Sequence, residues 1–323
     1  MKSSILFPAV MVTCAIFLTG CSREIEEVKS ESNESAQAKT KKPQRVCPAP
    51  PDDTTVLIPG GEFQMGAGAV YPEEKLTAGT KTVAPFRIDI HEVTNRQFKA
   101  FVDETGYKTI VEQVPSAELH PDLPQEALIA GSAVFRATGN VEAGQTWWEF
   151  VEGAYWEHPN GPRSDIVDRM DYPVVHISYH DAKAYAEWAG GSLPTEEQWE
   201  FAARGGLDGE VFAWGKGRPS QKTDHANTWQ GIFPISNTQA DGFEGAAPVG
   251  CYEPNGYGLY DMIGNAWEWV ESEYEGDNQG RIKGGSFLCA DNFCQRFRPA
   301  ARESQEKDFS ASHIGFRIVY PAL

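Results

Sequence analysis

Two cysteines near the carboxyl end of the chain, Cys289 and Cys294, have a spacing and a setting that could support chemistry. Two nearby thiols can oxidise to a disulfide, and two thiolates can bind a soft metal such as Cu(I). A disulfide here would close a short loop and would remove little entropy from the unfolded chain. Neighbouring Arg296, Arg298 and Arg302 would lower the thiol pKa values, which favours ligation or reactivity. A plain disulfide remains the alternative, since it is common in exported proteins.

The composition indicates a large acidic globule with much irregular backbone. The chain has 323 residues and a formal net charge of −18, from 28 Lys and Arg against 46 Asp and Glu. A chain of this length can bury a full-sized core without disulfides. The acidic excess disfavours a nucleic-acid partner, because phosphate binding needs clustered Lys and Arg. The 31 Gly and 21 Pro predict many turns.

Three helices and several short strands are predicted to position the cysteines. Capping boxes begin helices at Thr94, Ser178 and Thr195, and Gly106 ends the first of them. Residues 107–173 are predicted to be a long irregular excursion, which in a compact domain is usually functional. Three helices among turn-rich backbone indicate an α+β domain. The strands are predicted at residues 56–58, 63–66, 86–90, 284–288 and 315–319.

The first 21 residues have the pattern of an export signal. Lys2 precedes an apolar run over residues 5–18, which is too short for a stable membrane anchor. The run ends in LTGC, which resembles a bacterial lipobox. That resemblance implies a lipid anchor on Cys21 and an extracytoplasmic, membrane-anchored bacterial lipoprotein. An ordinary signal peptide that is cleaved nearby is the alternative.

A polar segment separates this signal from the globular part. Residues 22–53 are rich in Glu, Lys, Ser, Gln and Pro, so they cannot bury enough apolar surface to order themselves and are predicted to form a flexible tether. Within this tether, Cys47 is expected to be a free thiol. The globular domain is predicted to occupy residues 54–323.

Several blocks of the chain resemble one protein family. They are IPGGEFQMG, HEVTNRQFKAFVDETGY, YPVVHISYHDAKAYAEWAGGSLPTEEQWEFAARGG, NGYGLYDMIGNAWEWV and RIKGGSFLCADNFCQRFRPAARESQEKDFSASHIGFR. From Val56 to Val319 the chain resembles the formylglycine-generating enzymes, also called sulfatase-modifying factors. The helix blocks occur across a wider superfamily with many functions, whereas the GGSFLC…C pair is typical of the catalytic members. The resemblance implies a single irregular α+β domain of the formylglycine-generating-enzyme and C-type-lectin-like kind, with little regular secondary structure.

The resemblance also implies an activity. Members of the family oxidise the cysteine of C-x-P-x-R motifs in unfolded sulfatases to Cα-formylglycine, with Cu(I) as cofactor and O₂ as co-substrate. Carried over, Cys289 and Cys294 are catalytic and hold the copper, and Ser286 joins the catalytic residues. Cys294 is expected to be the more labile thiol. Members with two extra disulfides have cysteines at four positions, and the loss of all four here favours a functional central pair. Those positions hold Ala186, Ala203, Pro299 and Ile318.

Two calcium sites follow from the same resemblance. Hard oxygen ligands on turn-rich backbone suit Ca²⁺, although Asn and Asp also cap turns without any metal. The first site is expected to use Asn227, the Thr228 carbonyl, Asp241 and the Phe243 carbonyl. The second is expected to use Asp261, the Gly264 and Ala266 carbonyls, and Glu268.

A groove for the client peptide is implied as well. Sulfatase polypeptides are the expected partners, and a monomer is the expected state. Trp147 and Trp148 are expected to add a wall. His313 stands where better-known members have Asn, and neutral imidazole offers one donor and one acceptor, so client preference is expected to differ. The residues carried over to the groove are Trp267, Phe297, Arg298, Arg302, Ser310 and His313.

Two other functions are alternatives. The first is a non-catalytic lipoprotein that uses the same fold as a binding or assembly module, and a pure adaptor has no need of paired cysteines. The second is an iron-dependent sulfoxide synthase, which combines this domain with a His-rich helical bundle. Neither such a bundle nor a clustered histidine motif is present in these residues.

Overall fold

The structure is a computed structural model, and its described residues form short strands with three helices among much irregular backbone. The described residues are 45–49, 55–118, 124–137, 147–271 and 278–322. The helices are α1 Asn95–Thr105, α2 Tyr179–Trp188 and α3 Glu196–Arg204. The strands are β1 Thr55–Ile58, β2 Gly61–Met65, β3 Gly79–Val83, β4 Phe86–Asp89, β5 Gly131–Phe135, β6 Trp148–Glu152, β7 Gly231–Ile232, β8 Ser236–Asn237, β9 Trp267–Val270, β10 Gln279–Lys283, β11 Arg302–Glu306, β12 Ile314–Gly315 and β13 Val319–Pro321. The predicted α+β class is confirmed.

The strands form small separate sheets. One has the order β1-β4-β13, and a second has the order β11-β10-β9-β12. Three hairpin pairs, β2–β3, β5–β6 and β7–β8, complete the set in the described part of the chain. All pairings are antiparallel except β9 with β12, which is parallel. The segment between β10 and β11 carries the cysteine pair, so this second sheet sets its position.

The predicted helix starts are confirmed by their caps. The Thr94 hydroxyl accepts a hydrogen bond from the backbone of Gln97, and the Gln97 side chain returns to the Thr94 backbone. Ser178 and Thr195 make the same reciprocal boxes at α2 and α3. Gly106 has φ of 68°, a left-handed conformation that glycine adopts at little cost and that ends α1.

Two of the strand predictions fail at glycine-rich positions. The predicted strand at 284–288 is wrong, because Gly284 and Gly285 have φ of 94° and 77° and end β10 at Lys283. The predicted strand at 315–319 is split between β12 and β13. The excursion at 107–173 is more regular than expected, since it contains the β5–β6 hairpin.

One hydrophobic core joins the helices to the sheet that carries the cysteine segment. Phe98 of α1 stacks on Tyr185 of α2 with ring centroids 5.8 Å apart, and Tyr185 meets Phe316 edge-on at 5.2 Å. Trp199 of α3 and Trp269 of β9 are fully buried in the same core. This packing anchors β9 and therefore its neighbours β10 and β12.

Part of the predicted tether is attached to the domain. Cys47 forms a disulfide with Cys251, so the predicted free thiol is wrong. Arg45 pairs with Asp224 at 2.9 Å and lies over the Tyr252 ring at 4.9 Å. The sequence could not reveal this bridge, because the two cysteines are 204 residues apart.

The predicted export signal, including Cys21, and residues 22–44 of the predicted tether lie outside the described residues. Within the described ranges, no helix has the length and apolar character to cross a membrane.

Replacing both Cys47 and Cys251 by Ser is expected to lower the free energy of unfolding by about 2–4 kcal/mol, because the bridge closes a long loop in the unfolded chain. Thermal unfolding with and without a reductant measures the loss. Equal melting temperatures for the variant and the oxidised wild type would show that the bridge contributes nothing.

Candidate active site

The cysteine pair is formed by a tight reversal of the chain between β10 and β11. Ala290 and Phe293 exchange backbone hydrogen bonds of 2.9 and 3.1 Å, and this turn brings Cys294 back to Cys289. The two Sγ atoms are 2.7 Å apart. A disulfide bond is about 2.05 Å long, so the two cysteines are free thiols in contact.

The two thiols have opposite electrostatic characters. Burial raises the pKa of Cys289, which is 1% exposed. The pKa of Cys294 is lowered, first by the hydrogen bond from Cys289 and then by the backbone and charge of Arg296. Of the two thiols, Cys294 is therefore the one that loses its proton more readily. Cys294 is only half-buried, which makes it the sulfur that an incoming molecule can reach.

The arginines around the pair are held by carboxylates. Arg298 makes a bidentate ion pair with Glu74 at 2.6 and 2.9 Å, and both side chains are almost fully buried. Arg302 pairs with Glu196 in the same buried manner. This placement does not support the predicted contact between these two guanidinium groups and a client. Among these three arginines, Arg296 is the one whose charge helps to lower the pKa of Cys294, after the larger effect of the Cys289 hydrogen bond.

The backbone around the pair is unusual for residues other than glycine. Cys294 and Gln295 have φ of 69° and 51°, a left-handed conformation that costs energy for both. Gly285 also has a positive φ, and a Cβ atom there would lie 3.3 Å from the Cys289 sulfur and 2.8 Å from the Arg296 carbonyl oxygen. Only glycine therefore fits at 285. Such strain, held in place by its surroundings, is typical of functional sites.

An aromatic wall, formed by Trp147, Trp148, Phe233 and Phe293, stands beside Cys294. Phe293 stacks on Phe233 with centroids 4.3 Å apart, and Trp147 meets both rings edge-on at 5.6 Å. Trp148 packs against His313 at 4.8 Å. The structure thus brings the two predicted tryptophans next to the cysteine segment, together with two phenylalanines that the sequence analysis missed. Phe293 is 40% exposed and offers an apolar face to a ligand.

The remaining predicted groove residues lie mostly below the surface. Trp267 and Phe297 belong to the core, and Ser286 is buried where its carbonyl and hydroxyl accept from the backbones of Cys289 and Leu288. They support the site from beneath. His313 is half-buried and its Nδ1 has no hydrogen-bond partner. Burial lowers the pKa of His313 to about 3, so it is neutral near pH 7.

A buried chain of polar groups ends at Ser310. His176 Nε2 donates to the Pro159 carbonyl at 2.9 Å, and Nδ1 accepts from the Ser132 hydroxyl at 2.8 Å. Ser132 Oγ is 2.6 Å from Ser310 Oγ. Burial lowers the pKa of His176 to about 4, which keeps it neutral. Both serines line a cavity of about 860 Å³ that also includes exposed Phe150. These polar groups could not be predicted from the sequence, because they come from distant segments.

The residues of the first predicted calcium site lie together. Asp241 is buried, and its two oxygens accept from the backbones of Thr228 at 3.0 Å and Phe243 at 3.3 Å. Asn227 is also buried. Burial raises the pKa of Asp241 to about 6, because the charged carboxylate is removed from water. Carboxylate, amide and carbonyl oxygens in one loop fit a hard cation.

The second predicted calcium site needs one correction. Asp261 Oδ1 and Glu92 Oε2 are buried oxygens without hydrogen-bond partners, and each carboxyl has a raised pKa through burial. Two buried carboxylate oxygens without hydrogen-bond partners suit the coordination of a hard cation. Glu268, however, accepts from Arg317 at 2.7 Å through both oxygens and from Trp199, so its predicted ligand role is not supported. Glu92, which the sequence analysis missed, is the better donor.

The two predicted calcium loops contact each other through their backbones. The Asn265 amide donates to the Asn227 carbonyl at 2.9 Å. A Cβ atom at Gly264 would lie 2.2 Å from the same carbonyl oxygen, so glycine is required there. Ala266 is buried directly after this contact. Among the described residues no three His, Cys, Asp or Glu side chains form a metal cluster, so a cation here would also need carbonyl ligands.

Chelation of calcium is expected to lower the melting temperature, because a ligand that binds only the folded state stabilises it by about 2.7 kcal/mol at a hundred times its Kd. The raised pKa of Asp261, about 6, sets the pH dependence. With chelator present, the Asp261 carboxyl binds its proton more tightly in the folded state than in the unfolded state. Its contribution to the free energy of unfolding is therefore present at low pH and is lost as pH rises through about 6. Calorimetry from pH 4 to 8 with Ca²⁺ or EGTA measures both effects. Identical curves with and without calcium would show that these residues only cap turns.

The fold and the site together define an irregular α+β domain that presents a free thiol pair beside an aromatic wall. A family model described as the sulfatase-modifying factor enzyme 1-like domain matches residues 39–322. The chain belongs to this family.

Two curated relatives show the range of the family. The formylglycine-generating enzyme of Mycobacterium tuberculosis is 43% identical over 290 residues, which cover 82% of this chain and 96% of that protein. The inactive C-alpha-formylglycine-generating enzyme 2 of Bos taurus is 41% identical over 270 residues, covering 81% and 86%. Close likeness therefore extends to an inactive protein.

The solved structures support the fold alone. The structure of PvdO from Pseudomonas aeruginosa matches with a TM-score of 0.57 at 22% identity. The match covers 87% of this chain and 99% of the PvdO chain.

Proposed function

We propose that this protein oxidises the cysteine of C-x-P-x-R segments in unfolded sulfatases to Cα-formylglycine, with Cu(I) held by Cys289 and Cys294. The observation that carries the proposal is the contact of two cysteine sulfurs 2.7 Å apart, of which Cys289 is buried and Cys294 is half-buried. Two soft sulfur donors on one short loop suit Cu(I) better than a hard cation. The identity to formylglycine-generating enzymes supports the same reaction class.

The residues of the site have separable tasks in this reaction. Bound copper would supply the one-electron chemistry that links a client thiol to O₂. Cys294 would face the client because it is the more accessible of the two sulfurs, while buried Cys289 is shielded from it. The aromatic wall offers an apolar face to the proline of the motif and keeps water from the sulfurs.

The electron balance requires a reductant. Conversion of a thiol-bearing carbon to an aldehyde takes two electrons from that carbon, and the sulfur leaves as sulfide. Reduction of O₂ to the aldehyde oxygen and one water takes four electrons. Two further electrons must therefore come from an external thiol pair, which becomes a disulfide.

The calcium loops would stabilise the wall from behind. Trp229 follows Asn227 and Thr228 of the first loop, and it meets Phe233 of the aromatic wall edge-on at 5.1 Å. Trp229 also donates from its backbone to the Cys289 carbonyl at 2.9 Å. A cation in this loop would thus fix both the wall and the cysteine turn.

The site of action is proposed to be outside the cytoplasm, with a lipid on Cys21. The LTGC pattern and the Cys47–Cys251 disulfide support this proposal, because disulfides persist mainly in oxidising compartments. Metabolic labelling with a fatty acid tests it. Label in the wild type and none in Cys21→Ser is expected, and an unlabelled, freely secreted wild type would contradict the anchor.

A non-catalytic binding module is the second candidate, since the inactive bovine relative is nearly as similar to this chain. Copper binding separates the two. Anaerobic titration with Cu(I) against a chromophoric chelator should show one ion per chain, lost in Cys289→Ser. Client peptide that binds while copper does not would favour the module.

A further inference from the structure

A short acidic turn, residues 71–75, clasps the cysteine segment from the opposite end of the chain. This segment lies between β2 and β3. Tyr71 precedes a single 3-10 turn, Pro72–Lys75. The Tyr71 hydroxyl donates to the Cys294 carbonyl at 2.5 Å.

Three further contacts fasten the same turn to the cysteine segment. Glu74 is fully buried and holds Arg298 through both oxygens. Glu73 pairs with Arg296 at 2.5 Å, and the Arg296 guanidinium lies over the Tyr71 ring at 4.3 Å. A buried carboxylate that pairs with a buried guanidinium is costly to disrupt, so the turn has a fixed position relative to Arg298.

The hydroxyl of Tyr71 acts where the backbone is strained. Cys294 and Gln295 both have positive φ, and a residue in that conformation persists only when neighbours hold it there. The Cys294 carbonyl belongs to the peptide bond between these two residues. A hydrogen bond to it from a firmly placed ring restrains both left-handed conformations at once.

We propose that Tyr71 is a positioning residue that holds the Cys294 carbonyl and thereby keeps the Cys294 sulfur in contact with Cys289. The hydrogen bond of Tyr71 goes to the backbone carbonyl of Cys294 and not to a sulfur atom. Its effect passes through the backbone of Cys294, and the acidic turn supplies the rigid support. The proposal rests on the cysteine pair being the reactive centre, but its test requires no turnover.

The test is Tyr71→Phe, which removes only the hydroxyl. The variant and the wild type are equilibrated with glutathione disulfide and glutathione. Two protein thiols are oxidised as one glutathione disulfide yields two thiols, and mass spectrometry reads the Cys289–Cys294 peptide. The equilibrium constant is expected to fall about fivefold, which corresponds to one hydrogen bond of ordinary net strength. Affinity for Cu(I), measured by anaerobic chelator competition, is expected to fall by a similar factor.

The matched control is Tyr155→Phe, which removes a hydroxyl that donates to Glu157 at 3.2 Å. It is expected to leave both constants at the wild-type values. Unchanged constants in Tyr71→Phe, together with a lowered melting temperature, would overturn the proposal and leave Tyr71 a purely structural residue.

A second variant keeps the proposal testable if Tyr71→Phe does not fold. Glu73→Gln weakens the hold on Arg296, which covers the Tyr71 ring. A smaller decrease of both constants is expected, and no decrease would count against the proposal. A different outcome would contradict the proposed function: a wild-type protein that forms the disulfide and binds Cu(I) as expected but does not oxidise the client peptide.

Discussion

Cys294→Ser is expected to lower the rate of client oxidation by about 10³-fold or more, the scale for removing an essential member of a catalytic unit. A serine hydroxyl is a hard, protonated group, so it binds Cu(I) poorly and does not replace the sulfur that contacts Cys289. Cys289→Ser is expected to have the same effect. Initial rates with a client peptide measure the change.

The matched control for these variants is the double replacement of Cys47 and Cys251 by Ser. Their disulfide lies in a separate cluster with Phe243 and Tyr252, away from the core that contains Cys289. This control is expected to turn over like the wild type below its melting temperature. Wild-type rates in either Cys289→Ser or Cys294→Ser would contradict the assigned roles.

Arg317→Met is expected to destabilise the domain by about 3–5 kcal/mol, the usual effect of breaking a buried pair. Arg317 is fully buried and donates twice to Glu268 at 2.7 Å. Without it, Glu268 remains buried beside Glu92 and Asp261, and their charges repel. Urea unfolding measures the free-energy change.

Arg96→Met is the control, because Arg96 pairs with Asp171 at 2.8 Å on an exposed surface. Surface pairs contribute about 0–1 kcal/mol, so little change is expected. If the two variants unfolded at the same urea concentration, the buried Arg317–Glu268 pair would contribute no more to stability than the exposed pair.

Added calcium is expected to recover part of the stability of Arg317→Met, since a cation can replace the lost positive charge.

The local features of the fold could be predicted from the sequence. Capping boxes at Thr94, Ser178 and Thr195 involve residues three positions apart, so the pattern and the hydrogen bonds coincide. The end of β10 could not be predicted in this way. Apolar residues near Gly284 and Gly285 suggested a strand, whereas the two glycines themselves have positive φ. A Cβ atom would lie 3.0 Å from the Trp199 ring at position 284 and 2.8 Å from the Arg296 carbonyl oxygen at position 285, and neither neighbour is adjacent in the sequence.

The site was predictable only in part, for the same physical reason. The reactive pair lies within one short segment, and resemblance to a family indicates its role. Its partners come from distant parts of the chain: Tyr71 and Glu74 are more than 200 residues before the atoms they hold. Glu92 was missed because it lies three residues before the start of α1, where a polar residue is common and indicates no metal site.

The buried pairing of Arg298 and Arg302 changes how the cysteine segment is understood. The sequence suggested a field of free arginines, whereas the structure pairs all three with carboxylates: Arg298 with Glu74, Arg302 with Glu196 and Arg296 with Glu73. Their main effect is therefore to fix the segment in space. The low pKa of Cys294 comes first from Cys289 itself.

The central claim is that Cys289 and Cys294 form a copper centre that oxidises a client cysteine. The most direct measurement is the mass of a C-x-P-x-R peptide after incubation with Cu(I)-loaded protein and a thiol reductant, in air and under argon. The predicted result is a loss equal to the difference between cysteine and formylglycine, seen in air only and absent when serine replaces the peptide cysteine. An unchanged peptide mass in air, with copper bound one to one, would contradict the claim.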